Sequence, residues 1–217
     1  MAEELKKGIF ITFEGPEGSG KSTHSTRLSG DLESKGYQVL HTAEPGGTSL
    51  GSRIRSILLE KEEVRVGQEA ELLLFEADRA QHVCEVILPQ LEKKRIVICD
   101  RFNTATFAYQ GYGLGMDMGQ IEAVDRLATG GLSPDLTILM DLDVETGLKR
   151  AVAEHAADKM EKRGSEFHEK VRKGYLALAE KYPDKIRVIK VNEDMEETYK
   201  LVREEVYGFI ERHTGTK

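Results

Sequence analysis

The segment from Ile9 to Thr23 constrains the fold of this 217-residue chain more than any other segment. An apolar, β-branched and aromatic run leads into a loop that reads G-x-x-x-x-G-K-S, and a helix-compatible pattern follows over residues 21–36. This order of strand, loop and helix predicts a phosphate-binding loop, because the glycines let consecutive backbone N–H groups turn inward and the helix N-terminus adds partial positive charge. A glycine-rich turn before a helix is the alternative, but the complete spacing and both flanking elements favour the phosphate loop.

Two side chains of this loop have expected roles with a bound nucleotide. Lys21 can reach the β- and γ-phosphates, and the hydroxyl of Ser22 can bind Mg²⁺. Other loop positions expected to contact ATP are Gly15, Gly18, Ser19, Gly20 and Thr23. The segment therefore predicts an ATP-binding protein with Mg²⁺ as its cofactor.

Composition argues against several other classes of protein. With 39% apolar and 32% charged residues, the chain fits one α/β domain over residues 1–217. No window approaches the roughly 20 apolar residues of a membrane span, and the first residues are too polar for a secretory signal, so we expect a cytoplasmic protein with no membrane partner. The formal charge of −7 argues against a surface for polymeric nucleic acid. Cys84 and Cys99 lie in apolar segments without C-x-x-C spacing, which predicts buried, reduced thiols.

Strands and helices alternate through the rest of the chain. After the first strand, we expect strands at 38–43, 96–100, 136–141 and 185–191, and helices at 49–60, 67–92, 104–112, 117–129, 144–157, 165–182 and 195–211. This alternation implies right-handed crossovers and a five-stranded parallel sheet between two helical layers. Ligands of such a three-layer α/β fold bind beyond the carboxyl ends of the strands.

The expected helix over residues 67–92 has apolar residues at helical spacing, which predicts one buried face. These residues are Ala70, Leu73, Leu74, Ala77, Ala80, Val83, Cys84, Ile87 and Leu91. By contrast, the charged stretch Asp158–Gly164 has little to bury.

Asp100 ends an apolar strand, as a Walker-B carboxylate does, and is expected to hold Mg²⁺ directly or through water. Asp141 ends a similar run and is the competing candidate. Asp100 is preferred because Arg101 follows it, although an aspartate and an arginine at a strand end could also form a purely structural ion pair.

Several ordered motifs resemble those of a known family. They are F-E-G-P-E-G-S-G-K-S-T at Phe13–Thr23, E-P-G-G-T at Glu44–Thr48, F-E-A-D-R-A-Q-H at Phe75–His82 and D-R-F-N-T-A-T-F-A-Y-Q-G at Asp100–Gly111. With the later segments 147–151 and 167–179, nearly the whole chain resembles bacterial thymidylate kinase. The resemblance implies a P-loop nucleoside-monophosphate kinase fold with a short lid within about 154–164. It also implies a homodimer that transfers the γ-phosphoryl group of ATP to dTMP with Mg²⁺.

The resemblance assigns further roles on the phosphate side of the site. Arg101 becomes the clamp on the dTMP phosphate, Glu17 lies near the 3′-hydroxyl on the acceptor side, and Arg150 stacks on the adenine of ATP. Without the resemblance, Glu17 is a solvated loop residue and Arg150 an exposed helix residue.

The resemblance also assigns the residues around the base. Phe75 and Arg79 lie four apart and so share a helix face, where they stack on thymine and hydrogen-bond its carbonyl. Thr106 and Gln110 face the base, and the ring of Tyr109 packs against the deoxyribose. From spacing alone, Phe75 and Tyr109 are core residues and Arg79 is solvated.

This chain departs from the family pattern at several positions. Ala43 stands where the family has arginine, Ala105 where it has serine, Val191–Asn192 where it has Asp-Ala, and the lid arginines are missing. Lys159 stands at the position of the last lid arginine, so we expect it to supply the catalytic cation, with Lys162 and Arg163 close enough in sequence to assist. Two alternatives therefore stay open: a P-loop kinase for another nucleotide or small anion, and a nucleotide-binding regulator with weakened catalysis.

Overall fold

The computed structural model describes residues 5–59, 65–154 and 158–214. The strands in these ranges are β1 (Ile9–Glu14), β2 (Val39–Ala43), β3 (Ile96–Asp100), β4 (Leu136–Asp141) and β5 (Ile186–Lys190). The α-helices are α1 (Lys21–Ser34), α2 (Ser49–Leu59), α3 (Gln68–His82), α4 (Leu88–Glu92), α5 (Asn103–Thr106), α6 (Met118–Thr129), α7 (Val144–Glu154), α8 (Ser165–Lys181) and α9 (Met195–Thr214). A π-helical turn, Val83–Ile87, joins α3 to α4, and another, Phe107–Gly113, continues α5.

The five strands form one parallel sheet in the order β2-β3-β1-β4-β5. All residues of β1 and β3 are buried, as expected for central parallel strands that are covered on both faces. One large apolar cluster packs α1 and α9 against the sheet, and another packs α8 and the π-helical segment 107–113 against β4. The α/β fold with a five-stranded parallel sheet between helices is therefore confirmed.

Register within the sheet determines where the functional side chains lie. Phe13 pairs with Asp100, and Ala43 pairs with the same residue from the other side. The loops that follow β1, β2 and β3 therefore begin side by side, at the carboxyl ends of the strands. These loops contain the phosphate loop, the E-P-G-G-T motif and the D-R motif, so three distant parts of the sequence meet there.

The buried face of the long helix differs from the prediction. Val83 and Ile87 are buried as expected, but Ala70, Leu73, Ala77 and Cys84 are exposed. Polar residues of α3 are buried instead, namely Glu71, Glu76, Asp78, Arg79 and His82. They are stable in the interior because they form hydrogen bonds and ion pairs with one another and with neighbouring loops, which apolar periodicity cannot indicate.

Two smaller expectations are also corrected by the structure. Cys99 is a buried thiol, as expected, whereas Cys84 is exposed. The stretch after residue 157 buries Met160 and Glu161, at 5% and 8% exposure, although we expected it to have little to bury. The expected helix ends at residues 60 and 155–157 lie outside the described residues.

Candidate active site

A cavity of about 740 Å³ opens at the carboxyl ends of β1, β2 and β3. This volume lies within the range typical of small-molecule sites. The phosphate loop lines one part of the cavity, α3 and the segment 105–110 line another, and Asp158, Met160 and Glu161 line a third. The predicted position, beyond the carboxyl ends of the strands, is thus where the cavity lies.

The phosphate loop depends on glycine at positions where a side chain cannot fit. Gly15, Gly18 and Gly20 have φ angles of +139°, +64° and +81°. A Cβ atom on Gly18 would lie 2.1 Å from the carbonyl oxygen of Gly147 in α7, and a Cβ on Gly147 would lie 2.3 Å from the Glu17 carbonyl oxygen. The backbone of the loop therefore packs directly against α7, which fixes its shape.

Lys21 is the first residue of α1 and is 8% exposed. Its Nζ donates to the carbonyl oxygen of Pro16 at 2.7 Å and lies 3.3 Å from the hydroxyl of Ser19. Burial and the nearby charge of Arg101 lower the pKa of Lys21 to about 8. A phosphate near this ammonium would favour its charged form, because opposite charges stabilise each other in a desolvated site.

Asp100 lies at the end of β3 and also lines the cavity. Burial alone raises the pKa of this carboxyl, but the His41 imidazole and the hydroxyls of Ser25 and Ser22 outweigh it and lower the pKa. The Oδ1 atom of Asp100 is buried and has no hydrogen-bond partner among the described residues. By contrast, both carboxylate oxygens of Asp141 accept hydrogen bonds from Arg172, at 2.7 and 3.0 Å.

Oxygen donors at Asp100 and Ser22 fit Mg²⁺, which prefers one or two carboxylates together with phosphate oxygens. The buried Oδ1 atom of Asp100, which has His41 Nε2 at 3.7 Å but no hydrogen-bond partner among the described residues, is an acceptor of this kind. Asp141 is already paired and is not among the residues that line the cavity. The arrangement therefore favours Asp100 as the carboxylate that would bind Mg²⁺.

Arg101 follows β3 with a φ angle of +65°, which is uncommon for a residue with a side chain. Its guanidinium donates to Glu17 at 2.7 Å and lies 3.3 Å from the hydroxyl of Tyr175. Tyr109 donates its hydroxyl hydrogen to the same Glu17 oxygen at 2.6 Å. Although burial raises the pKa of Glu17, Arg101, Lys21 and the Tyr109 hydroxyl lower it to about 2, so Glu17 is charged at neutral pH.

The predicted base-binding residues lie together in another part of the same cavity. Phe75, Arg79, Thr106, Tyr109 and Gln110 all line it. Arg79 is 2% exposed, and its NH1 atom donates to the Thr106 hydroxyl at 3.0 Å. The interpretation from spacing alone, that Arg79 is solvated, is wrong, because α3 turns this face inward.

Arg79 is held by acidic residues from three elements. Its Nε donates to Glu44 at 2.9 Å, its NH1 contacts Glu76, and Asp125 lies 3.7 Å away. Burial disfavours the charged guanidinium, but these carboxylates more than offset the penalty and raise its pKa. The network fixes the guanidinium at the cavity wall before any ligand binds.

The lid segment begins with a hydrogen-bonded turn. The side chain of Asp158 accepts from the backbone N–H groups of Met160 and Glu161, and Glu161 accepts from the Asp158 N–H at 3.0 Å. These reciprocal bonds form a capping box. Asp158, Met160 and Glu161 line the cavity, whereas Lys159 donates from Nζ to the Ile57 carbonyl oxygen in α2 at 3.0 Å.

Three other predicted residues, Gly15, Ser19 and Arg150, are not among those lining the cavity. Ser19 is buried, and its hydroxyl donates to the Pro16 carbonyl oxygen at 2.8 Å. Arg150 is half-buried on α7, beside Ala151, which does line the cavity. Gly15 contributes its carbonyl oxygen, which lies 3.4 Å from Arg101. Arg163, which is close enough in sequence to assist Lys159, is paired with Glu71 on α3 at 2.6 Å.

Sequence reasoning missed several residues of the site. Arg55 on α2 lines the cavity and donates to the Pro45 carbonyl oxygen at 2.8 Å. Glu14 accepts from the backbone N–H of Phe102 at 2.8 Å and from the Tyr175 hydroxyl at 3.1 Å, so it supports the turn that carries Arg101. A buried glutamate at the end of a central strand was the available signal for Glu14, whereas no signal in the sequence indicates its partners.

A glycine loop on a helix N-terminus, a lysine aimed into it and a carboxylate on the adjacent strand define a P-loop phosphotransferase site. The family model for thymidylate kinase matches residues 13–202. The chain therefore belongs to the thymidylate kinase family.

Relatives of this family match over almost the entire chain. The thymidylate kinase of Desulfovibrio desulfuricans is 44% identical over 211 residues, covering 94% of this chain and 97% of that protein. The thymidylate kinase of Geotalea daltonii is 47% identical over 208 residues, covering 93% and 97%. The crystal structure of thymidylate kinase from Ehrlichia chaffeensis has a TM-score of 0.76 and 34% identity, with 93% of this chain and 99% of that chain covered.

None of the helices in the described ranges combines the length and apolar character of a membrane span.

Proposed function

We propose that this chain transfers the γ-phosphoryl group of ATP to dTMP, giving ADP and dTDP. The observation that carries this proposal is that one cavity contains the phosphate loop, Arg101 and the set Phe75, Arg79, Thr106 and Gln110. Phosphoryl transfer requires two phosphates in line and cations around the transferred group. A site that combines these groups with an aromatic and amide-lined wall fits a nucleoside monophosphate as the acceptor.

In this proposal Lys21 binds the phosphates of ATP and Arg101 binds the phosphate of dTMP. Lys21 at the start of α1 is the cation for the β- and γ-phosphates of ATP, together with the N–H groups of the loop. Arg101 lies beside Glu17 in the same cavity and is the clamp for the dTMP phosphate. Glu17 and Tyr109 then lie at the deoxyribose, where Glu17 can accept a hydrogen bond from the 3′-hydroxyl.

Ser22 and Asp100 are the residues that would hold Mg²⁺. When bound, the ion neutralises charge on the β- and γ-phosphates. The Ser22 hydroxyl and the buried Asp100 Oδ1 supply oxygen ligands of the type that Mg²⁺ prefers.

The base contacts follow from the side chains that face the cavity. Phe75 offers a ring for stacking, and the fixed Arg79 guanidinium offers donors to a thymine carbonyl. We propose that Arg150 approaches the adenine of ATP from α7, close to Ala151 at the cavity. The cytoplasmic location remains a prediction from the sequence.

We propose that two copies of this chain pair through the exposed apolar face of α2, α3 and α6, which pack side by side. This face includes Leu50, Leu73 and Leu127, which are 47%, 56% and 84% exposed. Burying such residues against a second copy is favourable, at roughly 25 cal/mol per Å². Leu73→Glu should give a monomer in light scattering, whereas Met195→Glu, at a similarly exposed residue of α9, should leave the dimer intact. A monomeric wild type would refute the pairing.

A coupled assay of ADP release with Mg·ATP tests the proposed reaction. The acceptors dTMP, dUMP, dCMP, dGMP and inorganic phosphate are compared at equal concentrations. We expect the highest kcat/KM with dTMP. Preference for another acceptor would support a P-loop kinase of different specificity, and nucleotide binding without turnover would support a regulator.

A further inference from the structure

Glu71 on α3 joins two parts of the site through one carboxylate. Its side chain is 7% exposed. The Oε1 atom accepts from Nε2 of Gln110 at 2.9 Å, and Oε2 accepts from the guanidinium of Arg163 at 2.6 Å. The carboxylate therefore connects a wall of the cavity to Arg163 in the lid segment.

The contact with Glu71 fixes which end of the Gln110 amide is available to a ligand. A side-chain amide has one donating and one accepting end, whereas a carboxylate only accepts. Glu71 therefore attracts the amide nitrogen and repels the amide oxygen. The carbonyl oxygen of Gln110 is left as the acceptor for a partner in the cavity, which Gln110 lines.

An acceptor at this position distinguishes between pyrimidines. Thymine and uracil carry a hydrogen on ring nitrogen N3, which can donate to a carbonyl oxygen. In cytosine the same nitrogen is an acceptor, so it would face the Gln110 oxygen without a shared hydrogen. A buried polar pair without a hydrogen bond is costly, which is the basis of strong discrimination by such sites.

Arg163 holds the Glu71 carboxylate in place. A buried carboxylate with only a neutral partner is unfavourable, and a guanidinium partner offsets that cost. Arg163 is itself held, because its guanidinium carbon lies 4.8 Å from the centroid of the Phe167 ring. Its backbone N–H donates to the Met160 carbonyl oxygen at 3.1 Å, so it is part of the lid turn.

We propose that Glu71 is a positioning residue for base selection. It orients the Gln110 amide so that its carbonyl oxygen can accept a hydrogen bond from a base that has an N3–H group, and it is held by Arg163. The proposal rests on the proposed function, since it takes a pyrimidine nucleoside monophosphate as the acceptor. It makes Glu71 and Arg163 determinants of specificity that do not themselves touch the base.

Calorimetric binding of dTMP and dCMP to the full chain tests this proposal without requiring turnover. The variants are Glu71→Gln, Arg163→Ala and Arg163→Lys. Arg172→Ala is the matched control, because Arg172 also forms one ion pair, with Asp141, and its side chain is 28% exposed against 25% for Arg163. The measured quantity is the ratio of the two dissociation constants.

A glutamine at position 71 can itself donate, so it no longer imposes one orientation on Gln110. We expect Glu71→Gln to reduce the preference for dTMP over dCMP about tenfold, the value of one hydrogen bond. Arg163→Ala should also reduce the preference for dTMP over dCMP. Arg163→Lys should keep the wild-type preference, and so should Arg172→Ala.

An unchanged ratio in folded Glu71→Gln would overturn the proposal. If that variant does not fold, Arg163→Ala provides the test, and a wild-type ratio of dissociation constants in Arg163→Ala would also overturn the proposal. Failure of the wild type to phosphorylate dTMP would refute the proposed function instead, so the two failures are distinct.

Discussion

The guanidinium of Arg101 lies 2.7 Å from the carboxylate of Glu17, and both groups are largely buried at the cavity wall. Glu17 thus balances the charge of Arg101. A phosphate that enters the cavity would meet Arg101 as a paired cation and would compete with Glu17 for it. The pair therefore keeps the clamp in position and sets its affinity for an anion.

Replacement of Arg101 by alanine should impair both dTMP binding and turnover. Losing a charge-assisted phosphate contact costs about 1.5–3 kcal/mol, or roughly 10- to 100-fold in kcat/KM for dTMP. Steady-state kinetics with each substrate varied in turn would measure this loss, with the KM for ATP as the internal control. If only the melting temperature fell, Arg101 and Glu17 would be a structural ion pair.

Lys21→Ala should abolish transfer and leave the fold intact. Among the described residues, the Lys21 ammonium hydrogen-bonds to the Pro16 carbonyl and the Ser19 hydroxyl. The nearby Glu17 keeps its ion pair with Arg101 when Lys21 is removed, so the fold should persist. Circular dichroism would check the fold, and ADP release would measure turnover. A folded variant with wild-type turnover would show that the loop does not bind the transferred phosphates.

Glycine at position 18 should be indispensable, unlike glycine at position 30. Gly18→Ala places a Cβ 2.1 Å from the Gly147 carbonyl oxygen at a φ of +64°, so the loop must move and ATP binding should be lost. Gly30 lies within α1, and a Cβ there meets no atom within 4 Å. Gly30→Ala should therefore stabilise the protein by roughly 0.5–1 kcal/mol. Nucleotide titration and thermal unfolding of both variants would test the contrast, which equal ATP affinities would contradict.

Glu14 should make stability depend on pH. Burial raises the pKa of Glu14 from 4.5 to about 7, although the charge of Arg101 and the hydrogen bonds that Glu14 accepts from Phe102 and Tyr175 lower it. Between pH 4.5 and 7 the folded state therefore binds more protons than the unfolded state, so this group lowers the free energy of unfolding as pH rises through that window. The pKa of Glu76 is also raised to about 7, so Glu76 changes the free energy of unfolding with pH in the same direction. The contribution of Glu14 is therefore obtained as the difference in the free energy of unfolding between a Glu14 variant and the wild type.

Glu14→Gln should remove that dependence, because an amide does not titrate in this range. The free energy of unfolding of the variant relative to wild type should rise by about 3 kcal/mol between pH 4.5 and pH 8. Urea unfolding at several pH values would measure the difference. Parallel curves for the two proteins would mean that Glu14 has an ordinary pKa.

The parts of the fold that follow from periodicity and local chemistry were predictable from the sequence. Glycine spacing indicated the phosphate loop, and apolar runs indicated the strands that end at Glu14 and Asp100. The buried face of α3 was not predictable, because Arg79 is buried through Glu44 and Asp125, which are distant in the sequence, and Glu76 is in turn paired with Arg79. The same holds for Arg163, since nothing in the sequence indicates its contact with Glu71, 92 residues away.

The lid differs most from the family pattern, and there the structure adds a step to the expected role of Lys159. Its Nζ donates to the Ile57 carbonyl oxygen on α2 at 3.0 Å. For Lys159 to meet the transferred phosphoryl group, this hydrogen bond must break. The cost of breaking one such bond, about 1 kcal/mol, is small beside the gain from a cation at that group.

We therefore expect Lys159→Ala to slow single-turnover phosphoryl transfer at saturating ATP and dTMP at least tenfold, because a cation at this point is worth large rate factors in P-loop enzymes. Lys159→Arg should be at least as fast as wild type, since a planar guanidinium binds phosphate oxygens in pairs and lysine binds them as a point charge. Lys149→Ala is the control, because Lys149 forms an exposed ion pair with Glu145 on α7. Quenched-flow measurement of dTDP formation would give the rates. Equal rates for wild type and Lys159→Ala would assign the role to another cation, such as Lys162, or show that transfer proceeds without one.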